Sequence, residues 1–190
     1  MNICVYGASS PSINKRYMQD GENLGAEIAK RNHSLVFGGG QSGMMGAVAK
    51  GTDKGGGRIL GIAPSFFNVD GVLYECDEFI YPETMRERKQ LLEERSDAFV
   101  ITAGGIGTMD EFFEILTLKQ LGRHNKPIVI LNSDGFYNKL LSLLDHFIEE
   151  KFLLETVKTL FYVTDSPKDA LDYIENYNFD TIIPTKFKNI

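Results

Sequence analysis

The chain has 190 residues, of which 43% are hydrophobic and 24% charged, a composition typical of one globular domain. Its net charge of −6 and pI of about 5.1 argue against a nucleic-acid polymer or an anionic membrane as partner, because both bind surfaces dense in Lys and Arg. The two cysteines, Cys4 and Cys76, are far apart and form no C-x-x-C pair, which indicates a reduced, cytoplasmic setting.

Short apolar runs alternate with helical patterns from the first residues onward. We predict strands at residues 3–6, 34–37, 59–63, 79–81, 98–102, 128–131 and 160–163. We predict helices at residues 15–31, 43–54, 84–95, 108–121, 136–151 and 168–177, with residues 64–78 irregular and 180–190 a tail. The first run lacks the basic flank of a signal peptide, and no run approaches the roughly 20 apolar residues of a membrane span.

Nearly continuous apolar strands that alternate with helices are typical of a parallel sheet covered on both faces. The sequence therefore predicts an α/β fold with a Rossmann-like, doubly wound parallel sheet, in a single domain over residues 1–190. In such a sheet the ligand crevice lies beyond the carboxyl ends of the strands.

Two predicted strand-to-helix turns, residues 38–46 and 103–111, are rich in glycine. Glycine lets backbone N–H groups approach an anion closely, and the N-terminus of a helix adds the positive end of its dipole. Ordinary turns between strands and helices also need glycine, so each turn alone is a weak signal. Neither turn matches GxxxxGK[ST], which disfavours an NTPase.

The second turn carries two carboxylates, Asp110 and Glu111. Thr108 followed by Glu111 is also a capping-box pattern, in which the glutamate would only satisfy a backbone donor. A pure phosphate site would gain nothing from adjacent carboxylates, however, so we expect this pair to be directed at a sugar. We expect the helix dipole to keep Glu111 ionised, as suits a base or a cation stabiliser.

Arg88 occupies an unusual position for a charged residue. On a helical wheel it projects between Leu91 and Leu92, inside the arc that also holds Met85, whereas Arg86 lies on the opposite, solvated side. A charge on an apolar arc is expected when it is paired or functional, and the alternative is an arginine that extends to the rim of the core.

At these motifs the chain resembles the LONELY GUY (LOG) family of cytokinin riboside 5′-monophosphate phosphoribohydrolases, members of which have often been labelled lysine decarboxylases. The family signature Pro-Gly-Gly-x-Gly-Thr-x-x-Glu, preceded by Met-x-x-Arg-Lys, corresponds to residues 103–111 and 85–89, with Ala103 in place of proline. Further similarity lies at residues 39–46, 120–122, 126–127 and 134–137, and the resemblance covers about residues 2–178.

The resemblance implies a substrate such as AMP or N6-prenylated AMP, which is cleaved to the free base and ribose 5-phosphate. It implies that Arg88 and Glu111 are catalytic and that the protein is a homodimer without a cofactor. The implied substrate-binding residues are Lys89, Gly104, Gly105, Ile106, Gly107, Thr108, Asp110 and Thr117. Residues 65–77 are shorter and less similar than in plant members, so the residues that contact the base are unassigned.

Cleavage at C1′ produces an oxocarbenium-like centre, which Glu111 would stabilise or attack with an activated water, while Arg88 orients Glu111 or the substrate. No metal is needed, and His33, His124 and His146 show no ligand spacing.

Two other functions remain open at this point. One is a non-catalytic nucleotide or molybdenum-cofactor carrier, since such carriers share a similar fold and glycine-rich loops. The other is a lysine decarboxylase, for which the sequence offers no recognisable pyridoxal-phosphate lysine. The pair of Arg88 and Glu111 favours the hydrolase.

Overall fold

The computed structural model describes residues 1–179, and the predicted tail at residues 180–190 lies outside the described residues. The strands are β1 Asn2–Tyr6, β2 Ser34–Phe37, β3 Ile59–Ile62, β4 Glu78–Ile80, β5 Ala98–Ile101, β6 Ile128–Leu131 and β7 Tyr162–Thr164. The helices are α1 Lys15–Lys30, α2 Gly43–Lys54, α3 Met85–Glu94, α4 Ile106–Gln120, α5 Asn138–Glu149 and α6 Pro167–Glu175.

All of these strands join one parallel sheet in the order β4-β3-β2-β1-β5-β6-β7. The order reverses at β1, which pairs with β2 on one side and β5 on the other, with Tyr6 opposite Ile101. Because the strands are parallel, the loops that follow β1, β2 and β5 leave the sheet at the same edge. This topology confirms the predicted doubly wound sheet.

Successive side chains of each strand enter two different cores, as the twofold period of a strand requires. In β1, Cys4 and Tyr6 pack toward α3, α4 and α5, whereas Ile3 and Val5 pack toward α1, α2 and α6. Both faces of the sheet are therefore covered, which explains why the strands are continuous apolar runs.

Three elements begin two residues away from their predicted starts, each for a local reason. Helix α4 begins at Ile106 and not at residue 108, because Gly105 is its N-cap residue. Helix α5 begins at Asn138 and not at residue 136, because Tyr137, with a ψ of 8°, is its N-cap residue. Strand β7 begins at Tyr162, opposite Val129, and not at residue 160.

Candidate active site

A cavity of about 660 Å³ opens at the carboxyl edge of the sheet, beside the point where the strand order reverses. This volume is in the range of small-molecule sites. The lining comes from residues 7–11 after β1, Gly38, Gly40, Ser42 and Met45 after β2, Phe67 and residues 71–73, Met85 and Arg88 of α3, and Gly105, Gly107, Thr108, Asp110 and Glu111.

The N-terminus of α4 presents unpaired backbone donors on one side of this cavity. Within residues 1–179 the N–H groups of Gly105, Ile106, Gly107 and Thr108 donate to no protein acceptor, and the first pairing of the helix is Met109 N–H to the carbonyl of Gly105. Such orphan donors carry the positive end of the helix dipole and suit an anion.

Two glycines of this turn have no internal structural reason to be glycine. A Cβ built on Gly105 or on Gly107 meets no atom within 4 Å, and neither residue has a positive φ. Gly104 is different, because its Cβ would lie 2.1 Å from the Thr108 hydroxyl. The space in front of Gly105 and Gly107 is therefore left open on the cavity side of the helix.

The capping-box alternative for Thr108 and Glu111 is ruled out. With Gly105 as the N-cap residue of α4, Thr108 lies three positions inside the helix and Glu111 six. The capping threonine of this site is Thr84, whose hydroxyl accepts from the Glu87 N–H at 3.1 Å and starts α3.

Thr84 fixes where α3 begins and thereby directs Arg88 into the core. Arg88 is buried, as the helical wheel predicts, and Arg86 is exposed. Met85 is 44% exposed, contrary to its predicted place in the buried arc, and it lines the cavity.

The guanidinium of Arg88 is held at defined points. Nε donates to the Ile62 carbonyl at 3.1 Å, and Nη1 donates to Glu111 Oε1 at 2.6 Å. Nη2 makes no hydrogen bond with any described residue and lies beside Gly38, whose Cβ would approach it to 2.0 Å. Arg88 thus bridges the end of β3 and helix α4 and keeps one nitrogen for the cavity.

Glu111 is nine-tenths buried, and this burial is the main influence on the pKa of its carboxyl. Burial raises the pKa of the Glu111 carboxyl above its ordinary value, and the Arg88 guanidinium opposes that rise. That the helix dipole keeps Glu111 ionised stays a prediction. Glu111 lies six positions inside α4, beyond the first turn, and the dipole acts most strongly within that turn.

Asp110 is paired by the residue that follows Arg88. The ammonium of Lys89 lies 3.1 Å from Asp110 Oδ2 and also contacts the carboxylate of Glu114. Consecutive basic residues of α3 therefore pair with consecutive acidic residues of α4, and a bound phosphate would meet no uncompensated carboxylate.

The structure brings together six of the ten predicted site residues around the cavity: Arg88, Gly105, Gly107, Thr108, Asp110 and Glu111. Gly104, Ile106, Lys89 and Thr117 do not line it, and Thr117 is exposed on α4. Direct substrate contact by each of the ten stays a prediction.

Residues 7–11 and 71–73 form two walls of the cavity that were not predicted from the sequence. The wall at residues 7–11 could have been predicted, because these residues follow β1 and the loop at the reversal of strand order borders the crevice. The wall at residues 71–73 could not have been predicted, because it reaches the cavity by pairing with the turn after β2. Gln41 N–H donates to the Val72 carbonyl at 3.0 Å, and Tyr74 N–H donates to the Gly39 carbonyl at 2.8 Å.

Residues 1–179 contain no group of three or more His, Cys, Asp or Glu side chains arranged to hold a metal ion. No helix in this part of the chain has the length and apolar character needed to cross a bilayer.

Comparison with known proteins places these residues in context. A family model described as "Possible lysine decarboxylase" matches residues 45–174. A cytokinin riboside 5′-monophosphate phosphoribohydrolase of Arabidopsis thaliana is 36% identical over 176 residues, which cover 92% of this chain and 82% of that protein. A probable enzyme of the same name from Oryza sativa subsp. japonica is 36% identical over 185 residues, 96% of this chain and 74% of that protein.

Solved structures with the same fold are more distant in sequence. The molybdenum cofactor carrier protein of Chlamydomonas reinhardtii has a TM-score of 0.70 at 22% identity, over 92% of this chain and 95% of that one. A molybdenum cofactor binding protein of Rippkaea orientalis has a TM-score of 0.69 at 22% identity, over 92% and 93%. At this identity the similarity establishes the fold alone.

Proposed function

Because the chain belongs to the LONELY GUY (LOG) family, we propose that it hydrolyses the N-glycosidic bond of nucleoside 5′-monophosphates, AMP and N6-modified AMP in particular, to free base and ribose 5-phosphate. The observation that carries this proposal is the buried pair of Arg88 and Glu111, joined at 2.6 Å on the cavity wall beside the free amides of α4. A buried ion pair contributes little net stability and is often retained at a functional site.

The free amides would bind the 5′-phosphate. Four unpaired N–H groups and the Thr108 hydroxyl surround the N-terminus of α4, and Gly105 and Gly107 leave the space before them open. A phosphate bound here fixes the sugar at a site remote from the reacting carbon, so that binding energy contributes to orientation.

Glu111 would then act on C1′. Its carboxylate takes a proton from water, and the water oxygen bonds to C1′. The bond from C1′ to the base nitrogen breaks with its electron pair going to the base, and the proton that Glu111 took is passed on to the base through solvent, which restores the carboxylate. The negative charge also stabilises the oxocarbenium-like transition state. Burial raises the pKa of Glu111, which makes the carboxylate a stronger base than an exposed one.

Arg88 would orient both partners. Its Nε and Nη1 are held by Ile62 and Glu111, which fixes the plane of the guanidinium. Nη2 remains for a ribose or phosphate oxygen, and the planar donor fork of arginine suits this bridging role.

The wall beyond Arg88 suits a base with an apolar substituent. Gly38 lies between Arg88 and Met45, and a Cβ at Gly38 would lie 3.2 Å from the Met45 sulfur. Leu73 pairs with Gly40 in an antiparallel β-bridge. This wall continues as Phe67 and Val72, and it supports N6-prenylated AMP as a substrate.

A second copy of the chain is proposed to cover the outer face of α3, α4 and α5. These helices expose Met85, Ile106, Phe113 and Leu143, whereas α1, α2 and α6 expose no large apolar side chain. Large exposed apolar patches mark interaction sites. Light scattering at micromolar concentration should report a dimer, and Phe113→Glu should shift it to a monomer; a monomeric wild type would contradict this assembly.

The protein is proposed to act in the cytoplasm, where its two free thiols, Cys4 and Cys76, would stay reduced.

Product analysis tests the proposed activity directly. The protein is incubated separately with AMP and N6-prenylated AMP, and base and ribose 5-phosphate are quantified by chromatography. We expect equal molar amounts of the two products from each substrate, with the faster rate for N6-prenylated AMP. A carrier would bind the nucleotide and return it intact, which would contradict the proposal.

A further inference from the structure

Tyr137 is a buried residue that the proposed chemistry does not use. It follows β6, is 3% exposed, and belongs to the stretch 134–137 that carried part of the family resemblance. Its ring packs edge-on against Phe136 at 4.8 Å, and its N–H donates to Asn132 Oδ1 at 2.7 Å. These contacts hold the side chain in one orientation, with its hydroxyl directed toward the turn after β5.

The Tyr137 hydroxyl anchors the start of that turn. It donates to the carbonyl of Thr102 at 2.7 Å. Burial raises the pKa of the Tyr137 phenol well above its ordinary value, so the hydroxyl keeps the proton that it donates. Thr102 is fully buried, so no water replaces the phenol as a partner for its carbonyl.

Two further bonds hold the same turn to β1 and the loop after it. The Thr102 hydroxyl donates to the Tyr6 carbonyl at 2.8 Å, and Ala8 N–H donates to the Ala103 carbonyl at 3.2 Å. These carbonyls hold the turn in place, and within residues 1–179 the amides of residues 105–108 stay unpaired at the cavity.

We propose that Tyr137 is a positioning residue for phosphate binding, acting from behind the glycine-rich turn. It sets the orientation of residues 102–105 and thereby the direction of the amides that follow, without touching the ligand. The proposal rests on the proposed function for the identity of its ligand, a 5′-phosphate on ribose.

The test compares Tyr137→Phe with wild type in the binding of two ligands, ribose 5-phosphate and adenosine, by calorimetry. The substitution keeps the ring and removes the hydroxyl alone. We expect affinity for ribose 5-phosphate to fall about tenfold, the effect of one lost hydrogen bond of ordinary strength, with adenosine unchanged. Tyr173→Phe is the matched control, because Tyr173 stacks on Tyr162 at the far edge of the sheet.

Thermal unfolding of each variant shows that it is folded at the assay temperature. A second variant, Asn132→Ala, loosens the same tyrosine through its backbone and should show the same ligand pattern with a smaller loss. Equal weakening of both ligands, or no change in either, would overturn the positioning role.

The outcomes for the two proposals are distinguishable. A wild-type protein that binds ribose 5-phosphate but leaves AMP intact would contradict the hydrolase and still allow the Tyr137 comparison. A wild type that does not bind ribose 5-phosphate would overturn the positioning role as well.

Discussion

The two glycine-rich turns look alike in sequence and differ in what their glycines are for. In the turn after β2, Gly39 and Gly43 have φ values of 80° and 62°, and a Cβ on Gly46 would lie 1.9 Å from the Gln41 carbonyl oxygen. In the turn after β5, Gly105 and Gly107 meet no atom and need no special backbone conformation. The chain itself requires the first set. The second set has no such requirement, which fits the phosphate site that we propose there.

This difference means that a glycine motif can be interpreted only once the surroundings of each residue are known. It predicts opposite phenotypes for equivalent substitutions in the two turns, loss of stability in one and loss of function in the other.

The largest expected effect belongs to the helix that follows the second turn. Glu111→Gln should lower kcat by about a thousandfold, because it removes the base and the charge opposite the oxocarbenium centre. Nucleotide binding should stay largely intact. Glu114→Gln, on the same helix and outside the cavity, is the control and should retain most activity. A wild-type rate in Glu111→Gln would reduce Glu111 to a structural partner of Arg88.

Gly46→Ala should produce the largest loss of stability. The new methyl group would overlap the Gln41 carbonyl, and overpacking of this kind costs about 1–3 kcal/mol in the free energy of unfolding. Urea denaturation measures this loss. An unchanged midpoint would show that the first turn adapts easily, and the contrast between the turns would fail.

Arg88→Ala should raise the barrier for hydrolysis by about 2 kcal/mol or more, because the substitution leaves the buried Glu111 carboxylate without its cation. Arg86→Ala is the matched control on the same helix, exposed to solvent, and should change kcat/KM little. Equal losses from the two arginines would contradict the geometry of the site.

Gly107→Ala should give the smallest effect and the sharpest contrast with Gly46→Ala. Alanine is favoured over glycine in a helix by about 1 kcal/mol, so the unfolding midpoint should hold or rise. The methyl group borders the cavity, however, and affinity for ribose 5-phosphate should fall about tenfold. Unchanged affinity would show that the open space before Gly107 is not used by the phosphate.

Much of the fold could be predicted from the sequence because local pattern determines it. The runs that became β2 and β6 were predicted to the residue, since a strand buried on both faces is a nearly continuous apolar run. The start of α4 could not be predicted, because Thr108 and Glu111 imitate a capping box and the true N-cap, Gly105, carries no capping side chain.

Single residues of the site could be predicted from the sequence, but the contacts between distant residues could not. The helical wheel placed Arg88 on the buried side of α3, but its partner Glu111 lies 23 positions along the chain. The bond from Tyr137 to Thr102 spans 35 positions. Such pairs depend on the order of strands in the sheet, which no local pattern of residues contains.

The dependence of hydrolysis on the 5′-phosphate tests the central claim most directly. The wild-type protein is assayed with AMP and with adenosine, and kcat/KM is compared. Charge-assisted hydrogen bonds to phosphate contribute about 1.5–3 kcal/mol each, so we expect AMP to be preferred by about a thousandfold or more, with part of the difference in kcat. Adenosine cleaved as fast as AMP would contradict the account and show that the second glycine-rich turn serves the fold alone.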